Sequence, residues 1–299
     1  MTGVSRVKTF AELVRFEHTI LNLPFAYLGA FVAARGWPSW WQVLWITVAM
    51  AGARSAAMGM NRIFDAEIDA KTPRTKTRHI PAGLVAKKEA WFFVILALAL
   101  LLVAAFNLNP LCLWLYPLAV LTFGIYSFTK RFTWLCHVWL GLSVAWAPFG
   151  AYIAVSGKVT WESLLLVGII TLWNAGFDTL YATQDMEADV VNGVHSIPAR
   201  FGLARSLLIA RFFHLGVVAL VAVSGFAWGL VEGINPLAWS LSGWLYFVGW
   251  ALIAALLHYE HSILSPKDMS RLNAAFFNMN AYISVVFFVF TAAALVVSH

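Results

Sequence analysis

Asn61, Asp65 and Asp69 stand four residues apart in the stretch NRIFDAEIDAKTPRTKTRHIPAG, residues 61–83, so a helix carries all three side chains on one face. A second stretch, DTLYATQDMEADVVNGVHSIPARFG, residues 178–202, spaces Asp178, Tyr181, Asp185 and Asp189 by three, four and four, again one helical face. The chain has six Asp residues, and five of them lie in these two stretches. Like charges at this spacing repel by about 0.2–0.5 kcal/mol per pair. An unpaired Asp at full depth in a bilayer costs on the order of 2.5–3.5 kcal/mol. Bound divalent cations remove both penalties. Hard oxygen ligands suit magnesium, which keeps waters and is typically held by one or two carboxylates plus substrate phosphates. Two facing sets of carboxylates are therefore expected to hold two or three Mg2+ ions with a diphosphate bridging them. Arg74, Lys76 and Arg78, just after the first set, would complete the diphosphate clamp.

Both stretches close on the same tripeptide, Ile80-Pro81-Ala82 and Ile197-Pro198-Ala199, a weak internal repeat that suggests two related helix–loop units facing each other. Glu67 and Glu187 point off the Asp faces, and His79 and His195 read as loop residues. Neither HExxH nor paired CxxC occurs, so zinc is unsupported.

The elements that must position these acids are membrane helices. Of the 299 residues 61% are apolar and 11% charged, against about 45–50% and about 25% in soluble domains. That composition excludes a soluble globular protein and a disordered chain, and two cysteines cannot make a disulfide framework. Apolar stretches run approximately from Ile20 to Ala34, Trp41 to Met60, Ala90 to Phe106, Leu111 to Phe128 and Leu135 to Val155. Four more run from Leu164 to Thr183, Leu207 to Leu230, Leu237 to Leu257 and Phe276 to Val297. A span needs roughly 20 residues, which predicts an all-α bundle of nine transmembrane helices forming one domain over 1–299. The 46 aromatic residues suit interfacial anchoring in the lipid bilayer. Asn107 to Pro110 reads as a tight turn between the third and fourth spans. The start of the chain mimics a signal peptide, but eight further spans favour an uncleaved first helix.

Of the 20 Lys and Arg, 17 fall on the side of the N-terminus and of the connections after spans two, four, six and eight. Arg35 and Lys158 fall on the other side, and Arg54 lies within span two. The positive-inside rule then predicts a cytoplasmic N-terminus, a C-terminus outside, and both acidic stretches at the cytoplasmic face of a bacterial-type inner membrane. The same asymmetry accounts for the net charge of +6, so nucleic acid need not be invoked, and nothing implies a protein partner.

The pairing of N-x-x-x-D-x-x-x-D (Asn61, Asp65, Asp69) with D-x-x-Y-A-x-x-D-x-x-x-D (Asp178, Tyr181, Ala182, Asp185, Asp189) resembles the UbiA superfamily of intramembrane aromatic prenyltransferases. The resemblance spans essentially the whole chain, including YSFTKRFT at 126–133. Within the superfamily the two stretches look most like bacterial 4-hydroxybenzoate polyprenyltransferases and relatives that prenylate a dihydroxynaphthoate in a menaquinone route. Arg62 stands where many ubiquinone-pathway members have Asp, a departure that slightly favours the menaquinone-like branch. The resemblance implies a Mg2+-dependent transfer of a polyprenyl group from its diphosphate to an aromatic acid in quinone biosynthesis. By the same resemblance Asn61, Asp65, Asp69, Asp178, Asp185 and Asp189 would ligate the metal, with the two Asp pairs and Tyr181 serving catalysis. Tyr181 would steady an allylic cation, and Lys130 and Arg131 would join the diphosphate site. Arg54, seven residues before Asn61, would meet the acceptor's carboxylate, since an intramembrane Arg is a functional candidate by default.

Two rival classes share some of these features. The CDP-alcohol phosphotransferases also gather Asp on helices, but their D-G-x-x-A-R element is absent. A cation-coupled transporter would use intramembrane carboxylates as ion sites, with polar residues and broken helices near the midplane, whereas here the acids gather at one face.

Overall fold

The computed structural model describes residues 3–15, 17–272 and 279–298. Its elements are α1 (Gly3–Leu13), α2 (Glu17–Ala34), α3 (Trp40–Phe64), α4 (Ala66–Lys71), α5 (Lys87–Leu108) and α6 (Pro110–Thr129). They continue with α7 (Cys136–Ser156), α8 (Trp161–Ala182), α9 (Met186–Asn192), α10 (Ile197–Ala227), α11 (Leu241–Ser262) and α12 (Asn280–Val297). The fold is all-α. Among the described residues eight helices are long and apolar enough to cross a membrane, and α2 adds a shorter apolar stretch, Leu23–Ala34, where the first span was expected. The expected start of the last span at Phe276 lies outside the described residues. The protein is an integral membrane protein.

Local chemistry explains several boundaries. Ser39 opens α3 with a capping box, its Oγ accepting from Gln42 N–H while Gln42 Oε1 accepts from Ser39 N–H. Asn109 caps α6, with Pro110 in the first turn, where its missing N–H costs nothing. The amide of Asn109 also donates to the carbonyls of Ile153 at 2.7 Å and Ala154 at 3.1 Å, tying the expected turn to the end of α7.

Among the described residues the nine long helices pack in a closed ring, in the order α3, α5, α6, α7, α8, α10, α11, α12, α2 and back to α3. α2 and α7 also pack against each other across the ring. Their contact is so close that a Cβ on Gly29 would lie 2.0 Å from the carbonyl oxygen of Pro148, backbone that cannot yield. This wall divides the bundle. On one side α2, α7, α8, α10, α11 and α12 fill their shared interior with a large apolar core that includes Phe25, Trp173, Phe177, Trp228 and Phe287. On the other side α3, α5 and α6 leave room. α5 and α6 face largely outward: 22% and 17% of their most apolar stretches are buried, against 61% for the helix that includes α8.

The short helices extend this frame. α1 lies against the end of α3, where the Leu13 carbonyl accepts from Arg62 Nε at 3.3 Å and Phe10 stacks on Phe93. α4 and α9 continue α3 and α8 past the apolar spans and carry Asp69 and Asp189.

Candidate active site

The first acidic face survives a change of helix. Asp65 is the hinge between α3 and α4, yet Asp65 N–H bonds the Asn61 carbonyl at 2.9 Å and Asp69 N–H bonds the Asp65 carbonyl at 2.8 Å. The four-residue repeat therefore continues, and Asn61, Asp65 and Asp69 line one cavity. In the second stretch α8 tightens through a single turn at Thr183–Asp185 before α9 begins. Asp178, Tyr181, Asp185 and Asp189 line the same cavity from the opposite side. Its volume is about 400 Å³.

Each of three carboxylates holds a cation. Lys130 Nζ lies 2.6 Å from Asp65 Oδ2. Arg78 Nη1 donates to both oxygens of Asp69 at 2.7 Å. Arg74 takes Asp185 with two nitrogens, Nε to Oδ1 at 2.9 Å and Nη2 to Oδ2, while its Nη1 reaches the Tyr181 hydroxyl at 3.2 Å. The Arg74 guanidinium also lies over the Tyr181 ring, 5.1 Å from its centre. The segment between α4 and α5 is thus latched across the cavity to α8 and to the turn that follows it. The Asp185 hydrogen bond pushes the Arg74 guanidinium up from its ordinary range. Burial pushes the Asp65 carboxyl up, and the ammonium of Lys130 opposes that shift.

Arg54 lines this cavity as well. Lys76 is exposed and outside the lining. Arg131 is also outside it, because Nη2 donates to the Phe64 carbonyl at 2.6 Å and the guanidinium lies over Phe128. Sequence reasoning passed over His137 and Asn174 and gave Tyr126 and Arg62 no site role, yet all four are in the lining. Asn174 was within reach of the spacing rule, four residues before Asp178 on the same face. His137 carried no such signal, being one histidine at the start of an apolar span.

A second cavity, about 170 Å³, adjoins the first. Its wall is made mostly of small and aliphatic side chains from α2, α3, α5, α6 and α7, among them Ala53, Ala57, Ala119, Ala147 and Ala151. Arg54, Met58, Tyr126, Leu140 and Val144 line both spaces. An acidic, cation-studded chamber therefore shares a wall with an apolar one.

Among the described residues no three His, Cys, Asp or Glu side chains gather tightly enough to hold a metal ion by themselves. The donor set nevertheless suits Mg2+ completed by phosphate oxygens: five carboxylates and the Asn61 amide, all hard oxygen donors, line one chamber. Asp65 Oδ1 is buried with no hydrogen-bond partner, the condition a cation relieves.

Comparison with known proteins agrees with this geometry. A model of the UbiA prenyltransferase family matches residues 22–295. A 4-hydroxybenzoate octaprenyltransferase of Aliivibrio fischeri (strain MJ11) is 31% identical over 298 residues, 98% of this chain and 99% of that one. A protein of the same name from Salmonella paratyphi B is 31% identical over 289 residues, covering 95% and 94%. The apo structure of a UbiA homolog from Aeropyrum pernix K1 superposes with a TM-score of 0.80 at 31% identity, covering 94% of this chain and 98% of that one. A UbiA homolog from Archaeoglobus fulgidus bound to GPP and Mg2+ shares the fold, with a TM-score of 0.69 at 19% identity over 96% and 99% of the two chains.

Proposed function

Since the chain belongs to the UbiA prenyltransferase family, we propose that it transfers a polyprenyl group from a polyprenyl diphosphate to the ring of 4-hydroxybenzoate, with Mg2+, in quinone biosynthesis. The enzyme is a prenyltransferase, and the ion-transport alternative falls with that membership. The names of the curated relatives support the acceptor. The Mg2+ and GPP of the Archaeoglobus homolog support the metal and the donor.

This assignment rests chiefly on the wall common to the two cavities. A molecule with a diphosphate head and a hydrocarbon tail fits across it, the head among the acids and cations and the tail between α3, α5, α6 and α7. The single domain over 1–299 lies in the inner membrane, with the N-terminus and both acidic stretches at the cytoplasmic face and the C-terminus outside.

The residues would share the work as follows. Asn61, Asp65, Asp69, Asp178, Asp185 and Asp189 would hold Mg2+. Bound there, the ion supplies positive charge to a departing diphosphate. Arg74, Arg78 and Lys130 hold the carboxylates in the absence of donor and turn to the diphosphate oxygens when it binds. Lys76 is a candidate for the rim of that site. The allylic C–O bond breaks and diphosphate leaves. The ring carbon ortho to the phenolic hydroxyl forms the new C–C bond, and its proton is then lost. The Tyr181 ring, released from beneath Arg74, presents its negative face to the allylic cation. The apolar chamber keeps water from that cation. Arg54, on the shared wall, pairs with the acceptor carboxylate.

Mass spectrometry after supplying 4-hydroxybenzoate and a dihydroxynaphthoic acid in parallel, each with polyprenyl diphosphate and Mg2+, tests the acceptor. Prenylated 4-hydroxybenzoate is expected. Product from the naphthoate alone would reassign the acceptor, and no diphosphate release with either would overturn the activity.

A further inference from the structure

His137 is the second residue of α7, 2% exposed, and both ring nitrogens are engaged. Nδ1 lies 2.6 Å from Asp178 Oδ2. Nε2 lies 3.2 Å from the backbone nitrogen of Ile197, which can only donate. Nε2 is therefore the acceptor and carries no proton, so Nδ1 carries it and donates to the carboxylate. One oxygen of Asp178 is thereby tied down, in a side chain that lines the acidic cavity and is 31% exposed.

The second bond matters as much. Ile197 begins α10, and the first N–H groups of a helix lack partners within it. Here Ile197 N–H goes to His137, Pro198 has none, and Ala199 N–H goes to Ser196 Oγ at 3.2 Å. The same Ser196 hydroxyl donates to Asp189 Oδ2 at 2.8 Å. One residue earlier, His195 N–H bonds the Lys130 carbonyl at 2.7 Å, and Lys130 holds Asp65. A single imidazole on α7 thus stands between Asp178 on α8 and the segment that positions Asp189.

We infer that His137 is a positioning residue for the second acidic cluster: as a neutral Nδ1–H imidazole it aligns Asp178 directly, and aligns Asp189 through Ile197 and Ser196, toward the donor diphosphate and its metal. This role rests on the assignment of that cluster to Mg2+ and diphosphate. Groups that orient a metal's ligands typically change affinity by about 10–100-fold when removed.

Two variants separate this role from plain packing. His137→Leu keeps comparable bulk and loses both polar bonds, whereas His137→Gln offers one donor and one acceptor. Binding of Mg2+ with inorganic diphosphate is read from the thermal shift of the purified full chain, beside the KM of each substrate. His137→Leu is expected to weaken that binding by about 10–100-fold and to raise the donor KM with the acceptor KM unchanged. His137→Gln is expected to restore both. In protein labelled with 15N-histidine, the His137 signal should show the proton on Nδ1 and none on Nε2.

A proton on Nε2 would overturn the inference whether or not the Leu variant folds. So would wild-type binding that His137→Leu leaves intact, even with lower thermal stability, and this would leave the assigned activity standing. Failure of the wild type to bind Mg2+ with diphosphate would instead remove the assigned activity together with the role of His137.

Discussion

Replacing Lys130 with Met is expected to strand a charge. Asp65 is 1% exposed, and its side chain has the Lys130 ammonium 2.6 Å from Oδ2, the Asn61 amide 2.5 Å from the same oxygen, and nothing on Oδ1. Removing one partner of a buried ion pair costs about 3–5 kcal/mol, because the other charge stays buried without compensation. Lys130 keeps 24% exposure, so the low end applies, about 3 kcal/mol. At about 2–4 °C per kcal/mol for chains of this order, the melting temperature in detergent should fall by roughly 6–12 °C near pH 8. The loss should depend on pH with a definite sign. Burial already holds the Asp65 carboxyl above its ordinary value, and losing Lys130 raises it further. A group raised in the folded state costs nothing below its unfolded value, near about 4, and its full cost appears above its folded value. The gap between Lys130→Met and wild type should therefore narrow as pH falls from 8 toward 5. Adding Asp65→Asn should recover most of the lost stability while leaving the protein without a carboxylate there. Thermal unfolding followed by Trp fluorescence reads all three. A gap equal at both pH values, or a double variant as unstable as Lys130→Met, would refute the reasoning.

Three other outcomes are expected. EDTA should abolish prenyl transfer and Mg2+ restore it, with Asp65→Ala and Asp185→Ala each losing most activity while still inserting; full turnover in chelator would remove the metal from the site. Arg54→Lys keeps the charge but loses the planar fork, so the acceptor KM should rise by roughly 10–100-fold, the worth of about 1.5–3 kcal/mol for a charge-assisted bond, with little change for the donor; lower thermal stability with unchanged acceptor kinetics would make Arg54 structural. With Cys112 and Cys136 replaced by Ala, cysteine introduced by Ser265→Cys should react with an impermeant reagent from the cytoplasmic side, and Ser156→Cys from outside; reversed labelling would invert the proposed orientation.

What was legible in the sequence was what short-range periodicity encodes. Four-residue spacing put Asn61, Asp65 and Asp69 on one face because consecutive turns stack, and that survived the passage from α3 to α4 through unbroken i to i−4 bonds. The repeated Ile-Pro-Ala has a structural echo: each copy forms a turn that ends at a glycine of positive φ, Gly83 at 73° and Gly202 at 75°, before the next long helix. The seventh span, expected from Leu207, reaches back to that second glycine, where the helix begun at Ile197 breaks. Partners distant in sequence were not legible. Nothing local says that Arg74 will cross 111 positions to Asp185, that Arg131 will turn to Phe64 instead of the chamber, or that His137 will meet Asp178. Those choices follow from how helices pack around the ring, and no window of residues contains that information.

The division of the bundle into a filled side and a hollow side gives the protein two unequal rates of permissible change. In the filled core an added methylene forces strain of about 1–3 kcal/mol, so drift there is checked by stability. Along the hollow side, Ala53, Ala119 and Ala147 border empty volume, and a larger side chain at those positions occupies space that no neighbour needs. On the proposed function its consequence falls on which tail fits and leaves folding nearly untouched. On that function, single substitutions there would retune substrate length at almost no cost to the scaffold, while Asp65, Asp69 and Asp185, each paired with a cation, tolerate no such single change.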